Sequence, residues 1–440
     1  MTLPRFPLAA AAVAFVAMLA VLTSVVGAGR RGVPASAGAG LAPAPDAPAP
    51  SATTDQRIAI LQATVRAQPR RADGYTLLAA AYRQKVRETG DATYYAKADG
   101  LIARALELAP GDPAALTERA ALEASRHDFR GALRDALAAR RAAPQVDKPF
   151  GVLVDALVEL GRYRAAGRAL QEMVDRRPDL AAYARASYFR ELHGDLAGAA
   201  AAMRLAVSAG SGAAENTAYV QSLLGDLELA RGRVAPGALA YRQALALVPG
   251  YAPADAGMAR VKSARGQLPA AIRRLRGVVA RLPLPQYVVA LGETELAAGR
   301  RAAARRDLAL VRVEQRLLAA NGVNTDVDLA LFEADHGSPA RAVILARRAW
   351  RSAPSVRSAD ALGWALTRAG HPRTGARWAR RALRLGSRDA MFLYHAGMAA
   401  RAAGDRADAR HRLRAALAAN PRFSPLYAPR AVRALRELER

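Results

Sequence analysis

The residues best able to bind a metal or move a proton near neutral pH are six histidines: His127, His193, His336, His371, His395 and His411. No two of them stand four apart, the spacing at which a helix aims both at one ion. His127, His193, His336 and His371 fall at or beside positions that read as tight turns, where a polar side chain is expected to be solvated. Cysteine is absent, which excludes disulfides, thiolate metal sites, a cysteine nucleophile and a lipidated cysteine anchor. Asn321, Asn324, Asp326 and Asp328 gather oxygen ligands as a calcium loop would. They lack that loop's central glycine and closing glutamate, and a helix stop followed by a helix cap accounts for them. Gly27-Ala-Gly-Arg-Arg-Gly32 has the form of a dinucleotide-binding glycine pattern, but no strand precedes it. No nucleophile elbow or phosphate-binding loop occurs. No catalytic residue, metal site or cofactor is therefore expected.

What must position the remaining side chains is read from composition and periodicity. Hydrophobic residues make up 52% of the 440 residues and aromatics only 5%, so the apolar content is mostly Ala, Leu and Val. Such small side chains suit close packing of helix on helix. The formal charge is +27, and only Lys85, Lys97, Lys148 and Lys262 are lysines. An arginine excess of this kind is the usage expected of a GC-rich genome, and it disfavours nucleic acid as the intended partner.

The N-terminus reads differently from the rest. Leu8 to Gly29 is an uncharged, mostly apolar run of 22 residues closed by Arg30 and Arg31, and about 20 such residues span a bilayer as a helix. Small-residue sites at Val26-Gly-Ala28 and Ala35-Ser-Ala37 also fit cleavage of a secretion signal. Residues 1–31 are thus a signal peptide or a transmembrane anchor. Either places the remainder outside the cytoplasm, membrane-anchored or secreted. Residues 32–54, rich in Pro, Ala and Gly, form a linker.

From residue 55 the sequence repeats as helix, turn, helix. Gly161, Gly194, Gly232, Gly266, Gly299, Gly337, Gly370 and Gly404 recur at intervals of 33 to 38 residues, and Pro110, Pro144 and Pro178 at 34. Glycine suits a left-handed helix end and proline the start of the next helix. Small residues keep fixed offsets: Ala120, Ala132 and Ala139 in one unit, Gly397, Ala409 and Ala416 in the last, with steps of 12 and 7 in both. Leu153, Leu157, Tyr163 and Leu170, or Leu362, Leu366 and Leu383, fill the rest of the seam. Period, glycine and alanine positions and closing proline resemble the tetratricopeptide repeat, as do Leu224-Gly225 and Leu362-Gly363.

The resemblance implies an all-α solenoid, a right-handed superhelix of helical hairpins, over residues 55–423 in about ten units, with a capping helix over 424–440. Three departures stand out: about seven extra residues around Arg83 to Thr93, a loop over Ser208 to Asn216, and a helix lengthened through Val311 to Ala320 and broken at Asn321-Gly322. The wording from Arg185 to Asp195, Asn321 to Asp326 and Phe392 to Met398 also resembles a group of bacterial tetratricopeptide proteins.

In such arrays the first helix of each hairpin lines the concave face and the second the convex face. On that reading the second helices carry arginine clusters such as Arg273, Arg274 and Arg276, or Arg377, Arg380 and Arg381. The first helices mix Arg185, Arg260 and Arg368 with Asp155, Glu191, Asp226, Glu293, Asp335 and Asp360. Tyr188, Trp364, Tyr394, His395 and Met398 fall at first-helix phases expected to be exposed, where aromatic anchors hold a partner. They are equally placed to fill the seam between hairpins. The expected function is a non-enzymatic scaffold binding a protein or peptide segment in the concave groove. The alternative is a polyanion or anionic-lipid binder using the convex arginines.

Overall fold

A computed structural model describes residues 52–210 and 213–440. The anchor and nearly all of the linker lie outside the described residues, as does part of the 208–216 loop. The described residues form 22 helices and no strand. A lone helix, α1 (Thr54–Ala67), leads into ten hairpins. The first five are α2 (Ala72–Thr89) with α3 (Thr93–Leu108), α4 (Pro113–Ser125) with α5 (Phe129–Ala142), α6 (Lys148–Glu159) with α7 (Tyr163–Arg176), α8 (Leu180–Leu192) with α9 (Leu196–Ala209), and α10 (Ala214–Ala230) with α11 (Val234–Leu247). The second five are α12 (Ala252–Ala264) with α13 (Leu268–Arg281), α14 (Pro285–Ala297) with α15 (Arg301–Ala320), α16 (Asp326–His336) with α17 (Pro339–Ser352), α18 (Val356–Arg368) with α19 (Pro372–Ala382), and α20 (Ala390–Ala402) with α21 (Arg406–Ala419). A last helix, α22 (Tyr427–Glu439), closes the array, which is an all-α solenoid.

Local chemistry sets the helix ends. Asp112, Asp179, Asp195, Asp389 and Asp405 each accept a hydrogen bond from a first-turn backbone N–H of the helix that follows, which satisfies a donor the helix cannot. The small residues sit where packing demands them. Ala120, Ala132, Ala139, Ala409 and Ala416 have no exposed surface, and a Cβ on Gly397 would lie 2.8 Å from Leu413. The lengthened helix is α15, twenty residues long and ended by Gly322 at φ 78°. Asn324 Oδ1 accepts from the backbone N–H of Asp326 at 3.0 Å, and Arg348 binds the Asp326 carboxylate, so this stretch is a helix stop and cap.

Most consecutive even-numbered helices pack on one another as well as on their hairpin partners, whereas the odd-numbered ones do not, which puts the even helices on the inside of the curve. Burial follows. Every residue of α6 from Pro149 to Glu159 is buried, whereas α21 buries only Ala409, Leu413 and Ala416.

The ribbon also meets itself. Turns inside the early hairpins dock, one superhelical turn later, on connections between the late hairpins. The backbone N–H of Asn324 donates to the Arg126 carbonyl at 3.0 Å, that of Val356 to Tyr163 Oη at 2.8 Å, and Asn420 Nδ2 to the Leu229 carbonyl at 2.7 Å. The side-chain contacts in this series join residues 191 to 197 apart. Two glycines are required here. A Cβ on Gly161 would lie 2.3 Å from the Pro354 carbonyl oxygen and one on Gly194 2.2 Å from that of Gly386, and both have positive φ. Edge contact of this kind closes the concave groove along that side, and the space it borders is the lumen of the ribbon.

Candidate functional site

The lumen is built by the even helices, and its first layer is a ladder of polar pairs between consecutive ones. Arg83 on α2 makes a two-pronged pair with Glu118 on α4 at 2.6 and 3.0 Å, and Arg185 on α8 pairs with Asp155 on α6 at 3.0 and 2.7 Å. Asp226 on α10 binds Arg260 on α12. His336 on α16 meets Glu293 on α14 at 3.1 Å. One hairpin repeat brings each partner past the other, and two-pronged arginine pairs fix that register.

The residues expected as exposed anchors belong to this ladder. Tyr188, Trp364, Tyr394 and His395 are 8%, 4%, 2% and 3% exposed, and only Met398 is half-buried. The expected exposure of those four is thereby corrected. An inner helix is covered by its own hairpin partner and by the inner helices on both sides, so no wide free phase remains. Three of the polar handles reach an acid on the preceding inner helix: Tyr188 Oη donates to Glu159 at 3.4 Å, Trp364 Nε1 to Asp335 at 3.0 Å, and His395 Nδ1 to Asp360 at 2.9 Å. The Trp364 and His395 rings stack with centroids 4.4 Å apart, and Tyr394 sits between Phe423 and Tyr427. Burial opposes a charge on His395, but Asp360 overrides it and holds the imidazole above its usual range.

Two further expectations change. His127 and His336 are not simply solvated: His127 Nδ1 lies 2.6 Å from the Asn324 carbonyl oxygen, and the His336 side chain is 8% exposed. His193 and His371 are exposed as their turns suggest.

Beyond the ladder, side chains meet across the lumen. Arg87 on α2 donates to Glu215 and to Asn216 Oδ1 in the first turn of α10, at 2.5 and 2.8 Å, and Tyr251 Oη donates to the same Glu215 at 3.0 Å. Tyr427 on α22 donates to Glu293 on α14 at 3.1 Å. Sequence reasoning found none of these pairs. The signal that could have found some is an acid followed by an aromatic 29 residues later, as in Glu159 with Tyr188 and Asp335 with Trp364.

The electrostatics of the lumen are acidic where those of the whole chain are basic. Burial pushes the Glu191 carboxyl up to about 8, and the neighbouring Asp389 and Asp226 push the same way. Burial raises Glu159 to about 7 against the pull of Arg357. Tyr188 and Tyr251 are held well above the usual phenol range, again mainly by burial. Water still reaches part of this wall, since the side chains of Arg260 and Asp226 are 49% and 30% exposed. Chemically the wall offers carboxylates, phenols and a few cations inside a narrow space. Among the described residues no group of three His, Asp or Glu could hold a metal ion, and no helix is long and apolar enough to cross a membrane.

The outer face is different. Arg305, Arg306, Arg347, Arg377 and Arg380 on odd helices are exposed, together with Leu205, Leu239 and Ile344 at 50%, 49% and 66%.

No known protein-family profile matches the sequence, and no curated protein matches it. Solved structures of helical-repeat proteins do resemble the fold. A thermophilic TPR protein of Thermus thermophilus is 23% identical, over 38% of this chain and 91% of its own, with a TM-score of 0.36. The human IFIT1 dimer with PPP-AAAA is 15% identical over 82% of this chain and 94% of its own, with a TM-score of 0.44. The APC/C hetero-tetramer Cut9-Hcn1 is 12% identical over 88% and 93%, with a TM-score of 0.33.

Proposed function

We propose that this protein is an interaction scaffold that holds a segment of a protein partner along the lumen formed by its even helices, outside the cytoplasm, by way of an N-terminal signal or anchor. The observation that carries the reading is the inner wall itself. Even helices from α2 to α22 line it, and charged groups such as Arg260, Asp226 and Asp335 stay within reach of water there. Repeat arrays use such extended inner surfaces for binding. Contact on the wall falls to the groups beside the buried aromatics, namely Glu191, Asp226, Arg260 and Met398. Tyr188, Trp364, Tyr394 and His395 hold the helices that present them.

A second reading draws on the outer face, where exposed leucine and isoleucine lie among unshielded arginines, a mixture suited to an anionic lipid surface. Salt separates the two. Cross-linked capture of a partner from membranes should survive high salt if the lumen binds it, since an enclosed site is screened weakly. Retention that collapses with added salt, together with wild-type capture by a Glu191→Gln, Met398→Ala variant, would favour the outer face.

A further inference from the structure

One turn breaks the glycine pattern. Where the other hairpins place a glycine, the turn between α4 and α5 has His127, the one non-glycine residue among those described with positive φ, at 62°. L-residues resist that conformation, and a side chain kept there against the backbone's preference points to use rather than accident. The ring explains part of the choice. A carbonyl oxygen can only accept, so Nδ1 carries the proton and donates it to Asn324 across the edge where the ribbon meets itself. That leaves Nε2 as a lone-pair acceptor, and this atom is buried with no hydrogen-bond partner. Burial holds the imidazole below its usual range, in keeping with a neutral ring, with Asp328 and Arg357 the charged groups facing it.

His127 borders a small cleft of about 40 Å³, open to solvent on one side, between the two superhelical turns. Phe129, Val327, Ala349 and Ala353 give it apolar walls, and Glu159, Asp328 and Arg357 line its polar end. Two carboxyls face one guanidinium there; His127 Nε2 can only accept, the Ser352 hydroxyl donates to the Ala349 carbonyl, and Asn324 and Ser355 complete the polar lining. With two carboxyls to one guanidinium, positive charge is what the cleft lacks. Arg357 is already engaged with Tyr188, Glu159 and Asp328, so it is poorly placed to recruit an anion.

We infer that this cleft is a binding site for a primary ammonium on an aliphatic stem, the chemistry of a lysine side chain or a free alkylamine. The ammonium's three donors match His127 Nε2 and the Glu159 and Asp328 carboxyls, and its stem lies along Phe129 and Val327. The site stands whether or not the lumen holds a partner segment.

The test uses the full chain in detergent, with its six histidine rings isotope-labelled and followed by NMR. The probes are n-pentylamine, pentan-1-ol and pentanoate. Pentylamine should shift the His127 ring signal and raise the melting temperature, while the alcohol and the acid should do neither. Asp328→Asn should weaken pentylamine at least tenfold with the helical circular dichroism unchanged. His127→Gly, which restores the residue the other turns use, should abolish binding while the turn still forms. Equal binding of pentanol would reduce the site to an apolar cleft, preference for pentanoate would make Arg357 the recognition group, and absence of binding by all three would leave no site. Each of these overturns the proposal. An Nα-acetyl-lysine N-methylamide arm identifies the source: binding equal to pentylamine supports a lysine of a polypeptide, and binding of pentylamine alone supports a free amine.

Discussion

On the inner wall Arg185 is 1% exposed and meets Asp155 through two nitrogens, whereas on the outer wall Arg305, Arg306 and Arg347 stand in water. The residue type is the same and the consequence is opposite. Buried, the guanidinium fixes how one inner helix sits on the next, and its loss strands a carboxylate. Exposed, it contributes solubility and surface charge and little to the fold. The charge of +27 therefore describes the outside of the ribbon, while the space it encloses is lined by acids and tyrosines.

The largest expected effect breaks the inner wall. Arg185→Ala should cost about 3 to 5 kcal/mol, because Asp155 is left buried and unpaired; chemical denaturation reads it directly. Replacing both partners, as in Arg185→Met with Asp155→Leu, should recover most of that loss. Failure to recover would mean that the wall needs the charges and not only a filled space.

Next in size is the packing that brings inner and outer helices together. Ala132→Leu and Ala409→Leu, both at fully buried positions, should each cost roughly 1 to 3 kcal/mol by overfilling. Asn420→Ala should cost about 0.5 to 1.5 kcal/mol by removing the Nδ2 bond to the Leu229 carbonyl, which keeps its bond from the Gly232 backbone N–H, and it tests whether the two edges of the ribbon meet in solution. An unchanged melting temperature for Asn420→Ala would mean an open groove.

A smaller effect appears in pH dependence. Glu191 and Glu159 bind a proton more tightly folded than unfolded, so their contribution to stability is full below the unfolded carboxyl range and is lost as pH rises toward about 8 and about 7. Glu191→Gln should raise the melting temperature most at alkaline pH and flatten its fall between pH 5 and 8. The smallest effect belongs to the outer wall: Arg305, Arg306 and Arg347 changed together to Ser should alter stability by no more than about 0.5 kcal/mol.

Much of this architecture is legible in the sequence, because it is local. Glycines at hairpin spacing, alanines at steps of 12 and 7, and the break at Asn321-Gly322 each report a backbone or packing requirement within one or two repeats. For Trp364, Tyr394 and His395 the sequence left two readings, exposed anchor or seam filler, and could not choose the burial that is found. Helical periodicity shows which phase faces the hairpin partner but not that neighbouring inner helices cover a second phase. Contacts between Tyr163 and Val356, or Leu229 and Asn420, depend on the pitch of the whole ribbon, which sums small rotations over many repeats. His127 was read only as a solvated turn residue, because its contact depends on Asn324, which only the closed ribbon brings near.

The account's central claim is that the partner lies inside. The most direct test introduces a photo-reactive amino acid singly at Glu191 and Met398 on the inner wall and at Leu239 and Arg347 on the outer wall, followed by irradiation in cells and isolation at high salt. The account predicts one shared cross-linked species from both inner positions and none from the outer ones. Cross-links from Leu239 and Arg347, with Glu191 and Met398 silent, would contradict it.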